Sequence, residues 1–178
     1  LAEIQNTIAK IDPLPGAKEF LDELRSFTQA IILSDTFEQF ASPLMKKLGM
    51  PTIFCNTLEV SKTGEITGYK MRCEKSKLTT VKALQSCGFE TIASGDSFND
   101  LGMIQASKAG FLFRTTDQIK KDYPSYPAFT EYSDLLNAIK TVTGEDVSST
   151  QLFQRFIQSV VFESTYAKEN SLPTLYTA

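Results

Sequence analysis

Ala93-Ser94-Gly95-Asp96-Ser97-Phe98-Asn99-Asp100 is the stretch that decides the fold of this chain. It continues a short apolar piece, Thr91-Ile92-Ala93, and leads into Leu101-Gly102-Met103-Ile104, which has helical spacing. Carboxylates, hydroxyls, an amide and a glycine therefore gather at a strand-to-helix turn. In an open α/β sheet such a turn lies at the carboxyl edge, where ligands bind. Clustered carboxylates repel unless a cation or a proton offsets them. The stretch reads as the site of a hard cation such as Mg²⁺.

The rest of the composition narrows the chemistry by exclusion. At 178 residues the chain is one domain, or one domain with an appendage. A hydrophobic content of 42% and a charged content of 22% are globular values, enough to bury a core. A net charge of −3 gives no sign of a nucleic-acid or membrane surface. No apolar run approaches the ~20 residues of a membrane span. The three cysteines, Cys55, Cys73 and Cys87, match neither a disulfide framework nor a zinc pattern. They read as buried thiols of a reduced, cytoplasmic protein. There is no histidine, which excludes Ser-His-Asp and Cys-His hydrolysis and histidine-ligated zinc. Acid–base work falls to carboxylates or lysine. The first residue is Leu1, and the chain reads as a piece whose beginning lies elsewhere.

Outward from the opening stretch, strands and helices alternate. Residues 1–11 read as the end of a helix, broken by Asp12-Pro13-Leu14-Pro15-Gly16, and Ala17 to Ser26 as a second helix. Ala30-Ile31-Ile32-Leu33 suits a strand buried on both faces, ended by Ser34-Asp35-Thr36. Phe37 to Leu48 is helical, with Gly49 as its cap and Pro51 beyond. Thr52 to Leu58 reads as a strand and Glu59 to Arg72 as a β-hairpin. Ser76 is expected to cap a helix over Lys77 to Ser86, ended by Gly88. A short helix from Asn99 to Ser107, a strand from Ala109 to Phe113, a helical turn from Gln118 to Asp122 and a helix from Tyr132 to Val142 complete the pattern. The apolar residues Leu152, Phe153, Phe156, Ile157, Val160 and Val161 follow helical spacing, which predicts an amphipathic helix over Thr150 to Lys168. That stripe reads first as core or packing surface, and otherwise as a homodimer contact or a partner-binding face. The alternation predicts a mostly parallel sheet covered on both faces.

Three polar sets fall at strand ends or helix starts: Ser34-Asp35-Thr36, Lys77, and Gly95 to Asp100. Each has a plainer reading as a cap, a first-turn acid or a solvated lysine. Together they supply the hydroxyl, cation and metal-binding carboxylates that phosphoryl transfer needs.

Those three sets resemble motifs II, III and IV of the haloacid dehalogenase-like phosphatases. The branch they are most similar to is the bifunctional phosphoserine phosphatase/phosphoserine:homoserine phosphotransferase, on Pro43-Leu44-Met45, Leu48-Gly49, Pro51-Thr52, Leu58-Glu59, Gly68-Tyr69 and Gly110 to Phe113 as well. The resemblance covers about residues 1–140. It implies a Rossmann-like, mostly parallel three-layer α/β sandwich with a small β-hairpin. It also implies roles. Ser34 would hydrogen-bond the transferring phosphoryl group, Lys77 would stabilise an aspartyl-phosphate, and Asp96 would bind Mg²⁺. Ser97, Asn99 and Asp100 would support the metal and its waters, with Asp100 counted among the catalytic residues. Asp35, Thr36 and Asn99 would help shape the phosphate pocket. Lys75 is the alternative to Lys77, and Arg72 reads as a solvated surface residue.

The beginning departs from the family. Its motif I, an Asp-x-Asp or Asp-x-Glu on the first strand, has no counterpart before Ser34, since Asp22-Glu23 falls in a helix and Asp12 in a proline turn. The resemblance therefore implies that the first, central strand and most of a cap domain are absent. Residues 1–15 would be the end of the cap, 16–147 the phosphatase core, and 148–178 a helix and tail without an assigned role. The expected chemistry is Mg²⁺-dependent hydrolysis of phosphoserine, or transfer to homoserine, in serine and threonine metabolism. This chain alone is expected to be inactive. A non-catalytic relic with a binding or regulatory role, or the same chemistry on another small phosphomonoester, are the rival readings.

Overall fold

Ala30-Ile31-Ile32-Leu33 is apolar at every position because both faces of its strand are covered. Ala30 and Ile32 pack into one core with Leu24, Leu44 and Ile139, while Ile31 and Leu33 pack into a second with Val81, Ile104 and Ile119. A strand's period of two sends neighbours to opposite faces, so an uninterrupted apolar run feeds two cores. In this computed structural model, residues 1–144 and 158–162 are described. Their elements are α1 (Ala2–Ile8), α2 (Ala17–Phe27), β1 (Gln29–Phe37), α3 (Glu38–Lys47), β2 (Thr52–Val60), β3 (Ile66–Lys70) and α4 (Ser76–Ser86). There follow β4 (Glu90–Gly95), a 3₁₀ turn (Phe98–Asp100), α5 (Leu101–Ala106), β5 (Ala109–Phe113) and α6 (Asp117–Asp122). The last are β6 (Ala128–Phe129), α7 (Tyr132–Thr143) and β7 (Gln158–Phe162).

The strands form one sheet in the order β3-β2-β1-β7-β4-β5-β6. Among the described strands only β3 is antiparallel, and it pairs with β2, so the hairpin expected within 59–72 takes the preceding strand from Thr52 as its first arm. Helices α2, α3 and α7 contribute to the first core and α4, α5 and α6 to the second. The result is the three-layer, mostly parallel α/β sandwich the sequence predicts. From β1 the chain winds outward to β2, and from β4 it winds the other way to β5 and β6. The carboxyl ends of β1 and β4 therefore flank the point where the strand order reverses, which is where open α/β sheets bind ligands.

Local signals explain most element ends. Gly49 takes φ +76° after α3, and Gly88 takes φ +90° after α4, the left-handed conformation glycine adopts without strain. Pro43 lies inside α3 and has no N–H for the Gln39 carbonyl. That carbonyl instead accepts from Gln5 Nε2 at 2.9 Å, which fastens α1 to α3. Ser76 is not a cap. It is the first residue of α4, and the capping position belongs to Lys75, with no side-chain hydrogen bond. The two-residue strand β6 is too short for any sequence period to reveal.

The C-terminal expectation is corrected. Residues 158–162 do not continue a helix. They are a strand, parallel to β1 on one side and to β4 on the other, with Val160 paired to Ala30 and Ile92. The run Ser159-Val160-Val161-Phe162 is mostly apolar and β-branched, and so short a run carries no period that separates helix from buried strand. The sheet supplies the deciding term. Without a strand there, β1 and β4 would stand about two spacings apart, roughly 9–10 Å, with their facing amides and carbonyls unpaired. The central position expected to be missing is thus filled from the C-terminal side. The remaining parts of the expected helix, 150–157 and 163–168, and the tail 169–178 lie outside the described residues.

Proline at position 160 removes a ladder donor from a strand paired on both sides. Val160→Pro is expected to cost about 1–3 kcal/mol in urea unfolding, from the ladder acceptor left unsatisfied. It is also expected to speed amide exchange in Ala30 to Ile32 and in Ile92 to Ser94. Unchanged exchange at those residues would contradict the pairing.

Candidate active site

The site is organised around a buried charge pair. Lys75 enters α4 with φ +46° and ψ +49°, and after this bend Lys77 points into the protein, 3% exposed. Its Nζ donates to Asp100 Oδ1 at 2.8 Å and lies 3.5 Å from Asp35 Oδ2. Asp100 is fully buried. Its second oxygen, Oδ2, accepts from the Asp96 amide at 3.1 Å, the Ser97 amide at 3.0 Å and the Ser97 hydroxyl at 2.9 Å. A carboxylate and an ammonium in this position persist only when their hydrogen-bonding capacity is used, because the desolvation of each costs several kcal/mol. Asp100 meets that condition with three neutral donors and one cation.

Gly95 is what lets the turn close on Asp100. A Cβ at position 95 would stand 2.5 Å from Asp100 Cβ and Cγ and 2.6 Å from Oδ2. No other residue type fits without moving the carboxylate.

On β1 the pairing with β2 slips. Leu33 pairs with Phe54, but Phe37 pairs with Asn56, so β1 carries extra residues between them. Ser34-Asp35-Thr36 falls in this bulge, at the carboxyl edge. Ser34 is buried and its Oγ accepts from the Thr36 amide at 3.2 Å. The hydroxyl keeps its proton to donate. Asp35 is half-exposed.

Asp35, Lys75, Ser76, Lys77, Leu78, Asn99 and Gly102 line one cleft of about 220 Å³. That is below the ~300–1,000 Å³ of pockets for drug-sized ligands, and of a size for a small metabolite. The structure therefore brings Asp35, Lys77 and Asn99 to one cleft. Ser34 and Thr36 flank it on β1, Asp100 lies behind Lys77, and Asp96 sits in the turn that carries Asn99. Lys75 lines the cleft but is exposed, and Lys77 alone makes the buried contacts.

For a cation, the described residues offer a small donor set. Among them, no three His, Cys, Asp or Glu side chains cluster as a cage. Asp100 is committed to its four donors. Asp96 is half-buried at the carboxyl end of β4, and its carbonyl is held by the Thr115 hydroxyl at 2.6 Å. Mg²⁺ is commonly held by one or two carboxylates, with waters and substrate phosphate oxygens completing its octahedron. A half-buried carboxylate in the turn that brings Asn99 to the cleft fits that chemistry, and Asp96 is the residue that would hold the ion.

Other expectations change. The cysteines are not buried thiols, since Cys55 and Cys73 are partly exposed and Cys87 is exposed at the C-terminal end of α4. Partial burial, with Glu38 nearby, pushes the Cys55 thiol up despite Arg72, so it is not a ready thiolate. Arg72 is exposed yet tethered. Its guanidinium donates to the Ser76 carbonyl and the Thr80 hydroxyl and lies over the Phe54 ring. Phe37, read as the start of a helix, is the buried last residue of β1. Buried Asn56, which no sequence motif singles out, joins Asp35 to Arg72. Its one signal is an amide inside the apolar strand Thr52-Ile53-Phe54-Cys55-Asn56.

A doubly wound sheet with a buried lysine–carboxylate pair and an oxygen-rich turn at its switch point places the chain among α/β proteins with a ligand cleft at the carboxyl edge. Among these, the chain belongs to the haloacid dehalogenase-like hydrolases, matching that family over residues 2–108. It is 42% identical over 135 residues to phosphoserine phosphatase ThrH of Pseudomonas aeruginosa, covering 76% of this chain and 66% of that one. To a phosphoserine phosphatase of Pseudomonas syringae pv. tomato it is 41% identical over 135 residues, covering 76% and 57%. The chain thus spans somewhat less than two thirds of the length of these relatives. The fold is similar to a solved phospho-aspartyl intermediate analogue of a phosphoserine phosphatase, with a TM-score of 0.61, 22% identity, and 75% and 67% of the two chains covered. No helix among the described residues is long and apolar enough to cross a membrane.

Removing the cation of a buried pair leaves its carboxylate uncompensated. Lys77→Met is expected to lower unfolding free energy by about 3–5 kcal/mol. Lys75→Met, at an exposed position, is expected to change it by less than ~0.5 kcal/mol. Urea titration of the two variants checks the contrast.

Proposed function

We propose that this chain is the core of a Mg²⁺-dependent phosphoserine phosphatase of the cytoplasm, which also transfers the phosphoryl group to homoserine. Residues 16–147 are its core domain, and residues 1–15 are the end of a cap. The observation that carries the reading is the cleft where Lys77, braced by Asp100, meets Asp35 and Asn99 beside the buried Ser34 hydroxyl. That set matches what a dianionic phosphate needs. Lys77 offsets charge on the phosphoryl oxygens, Ser34 donates a hydrogen bond to one of them, and the exposed Asn99 amide orients the ester. Asp96 would hold Mg²⁺, which when bound supplies further neutralisation of the phosphoryl group. Phosphoserine as substrate is supported by the names of the relatives. An aspartyl-phosphate is supported by the structural neighbour, itself a phospho-aspartyl intermediate analogue. In this reading the aspartate that carries the phosphoryl group is not among residues 1–178, since no Asp-x-Asp or Asp-x-Glu stands before Ser34.

A second reading has its own observation. β7 occupies the central position between β1 and β4, so the sheet closes without an upstream strand. That favours a chain that keeps the pocket and binds phosphomonoesters without turning them over. Both readings make the 178-residue chain a binder and not a catalyst.

Calorimetric titration with Mg²⁺ and a set of small phosphomonoesters tests the pocket. Phosphoserine is expected to bind best, and Asn99→Ala, at an exposed position, to weaken it about three- to tenfold. Phosphate release by the chain, assayed with phosphoserine and Mg²⁺, is expected to stay at the blank. Sustained turnover would overturn the placement of the nucleophile, and a stronger preference for another phosphomonoester would overturn the substrate.

A further inference from the structure

Asn56 is 1% exposed in the middle of the sheet side of the site, and its side chain bridges two segments. Nδ2 donates to the Asp35 carbonyl at 2.9 Å, inside the β1 bulge. Oδ1 accepts from the Arg72 amide at 3.0 Å, where the hairpin returns toward α4. Arg72 in turn donates to the Ser76 carbonyl, one residue before Lys77. A buried amide whose donor and acceptor are both engaged is costly to replace, because each partner would be left unsatisfied.

From this geometry we infer that Asn56 is a positioning residue. It pins the Ser34-Asp35-Thr36 bulge against the start of α4, and so fixes the approach of Asp35 to Lys77. Beside it, the Ser34 Oγ–Thr36 amide contact and the approach of Asp35 to Lys77 act on the shape of a bulge that carries extra residues. Asn56 touches no ligand in this role. It acts through the backbone of Asp35 on one side and the backbone of Arg72 on the other. The functional part of the inference rests on the phosphate pocket proposed above, and the positional part does not.

Two substitutions separate its two bonds. Asn56→Asp keeps an acceptor for the Arg72 amide but sets a carboxylate oxygen against the Asp35 carbonyl. Asn56→Ala removes both bonds. The full chain at neutral pH is followed by residue-resolved amide exchange and by titration with inorganic phosphate. Ile139→Val, in the opposite core, serves as a control of general destabilisation. Asn56→Asp is expected to speed exchange at Asp35 and Thr36 while the Arg72 amide stays protected, and to weaken phosphate binding about tenfold. Asn56→Ala is expected to loosen all three amides. The Ile139→Val control is expected to leave phosphate affinity unchanged. If Asn56→Asp loosens Arg72 as much as Asp35, or loosens neither, the inference is wrong and Asn56 is ordinary core. If phosphate does not bind the unmodified chain but Asn56→Asp still loosens Asp35 and Thr36 selectively, the positioning role stands and the phosphate pocket falls.

Discussion

The ion pair between Lys77 and Asp100 is the contact on which the rest of the site depends. It joins α4 to the turn after β4, in addition to the apolar packing that α4 and α5 share. Asp100 is fully buried, so the pair cannot open without stranding a charge away from water. Gly95 has no Cβ because the carboxylate occupies that space, and the amides of Asp96 and Ser97 point inward because the same carboxylate accepts them. One buried side chain thereby sets the backbone of the turn, the direction of Lys77 and the placing of Asp96 and Asn99.

Around that centre the fold solves two further problems of unpaired backbone. The first is in α3, where Pro43 leaves the Gln39 carbonyl without its helical donor and Gln5 supplies one from α1. The second is in the sheet. The chain winds in opposite directions from β1 and from β4, which need a strand between them, and β7 supplies it in parallel register with both. The same reversal of winding that opens a ligand crevice at the carboxyl edge also creates the demand for that strand. The position of the site and the recruitment of residues 158–162 are consequences of one topology.

Much of this is legible in the sequence where a local rule is unambiguous. Glycines past helix ends, apolar runs buried on two faces and the oxygen-rich turn from Gly95 to Asp100 each have one cheap conformation. Lys77 over Lys75 is legible from the motif spacing, and burial accounts for it, because only Lys77 lies on the inner side of α4. The features that escape a sequence reading share a different cause. Spacing from Leu152 to Val161 predicts a helix, but the fate of Val160 and Val161 depends on an empty slot between strands far away in the chain. Residue type makes Ser76 a cap, although Lys75 takes the left-handed bend before it. Asn56 is a lone polar residue in a strand, with no meaning until its partners at Asp35 and Arg72 are known. Residue preference puts Cys87 in the interior, but it falls at a helix end open to solvent. In each case the missing information is tertiary.

The central claim is that a phosphate-like anion sits where β1, α4 and the β4 turn converge. Anomalous diffraction from a crystal of the chain soaked in tungstate locates that anion directly, because tungstate has the shape and charge of phosphate. The predicted result is a tungsten peak in contact with Lys77 Nζ and the Ser34 hydroxyl, bordered by Asn99. A peak at another place on the surface, with the cleft empty at saturating tungstate, would contradict it.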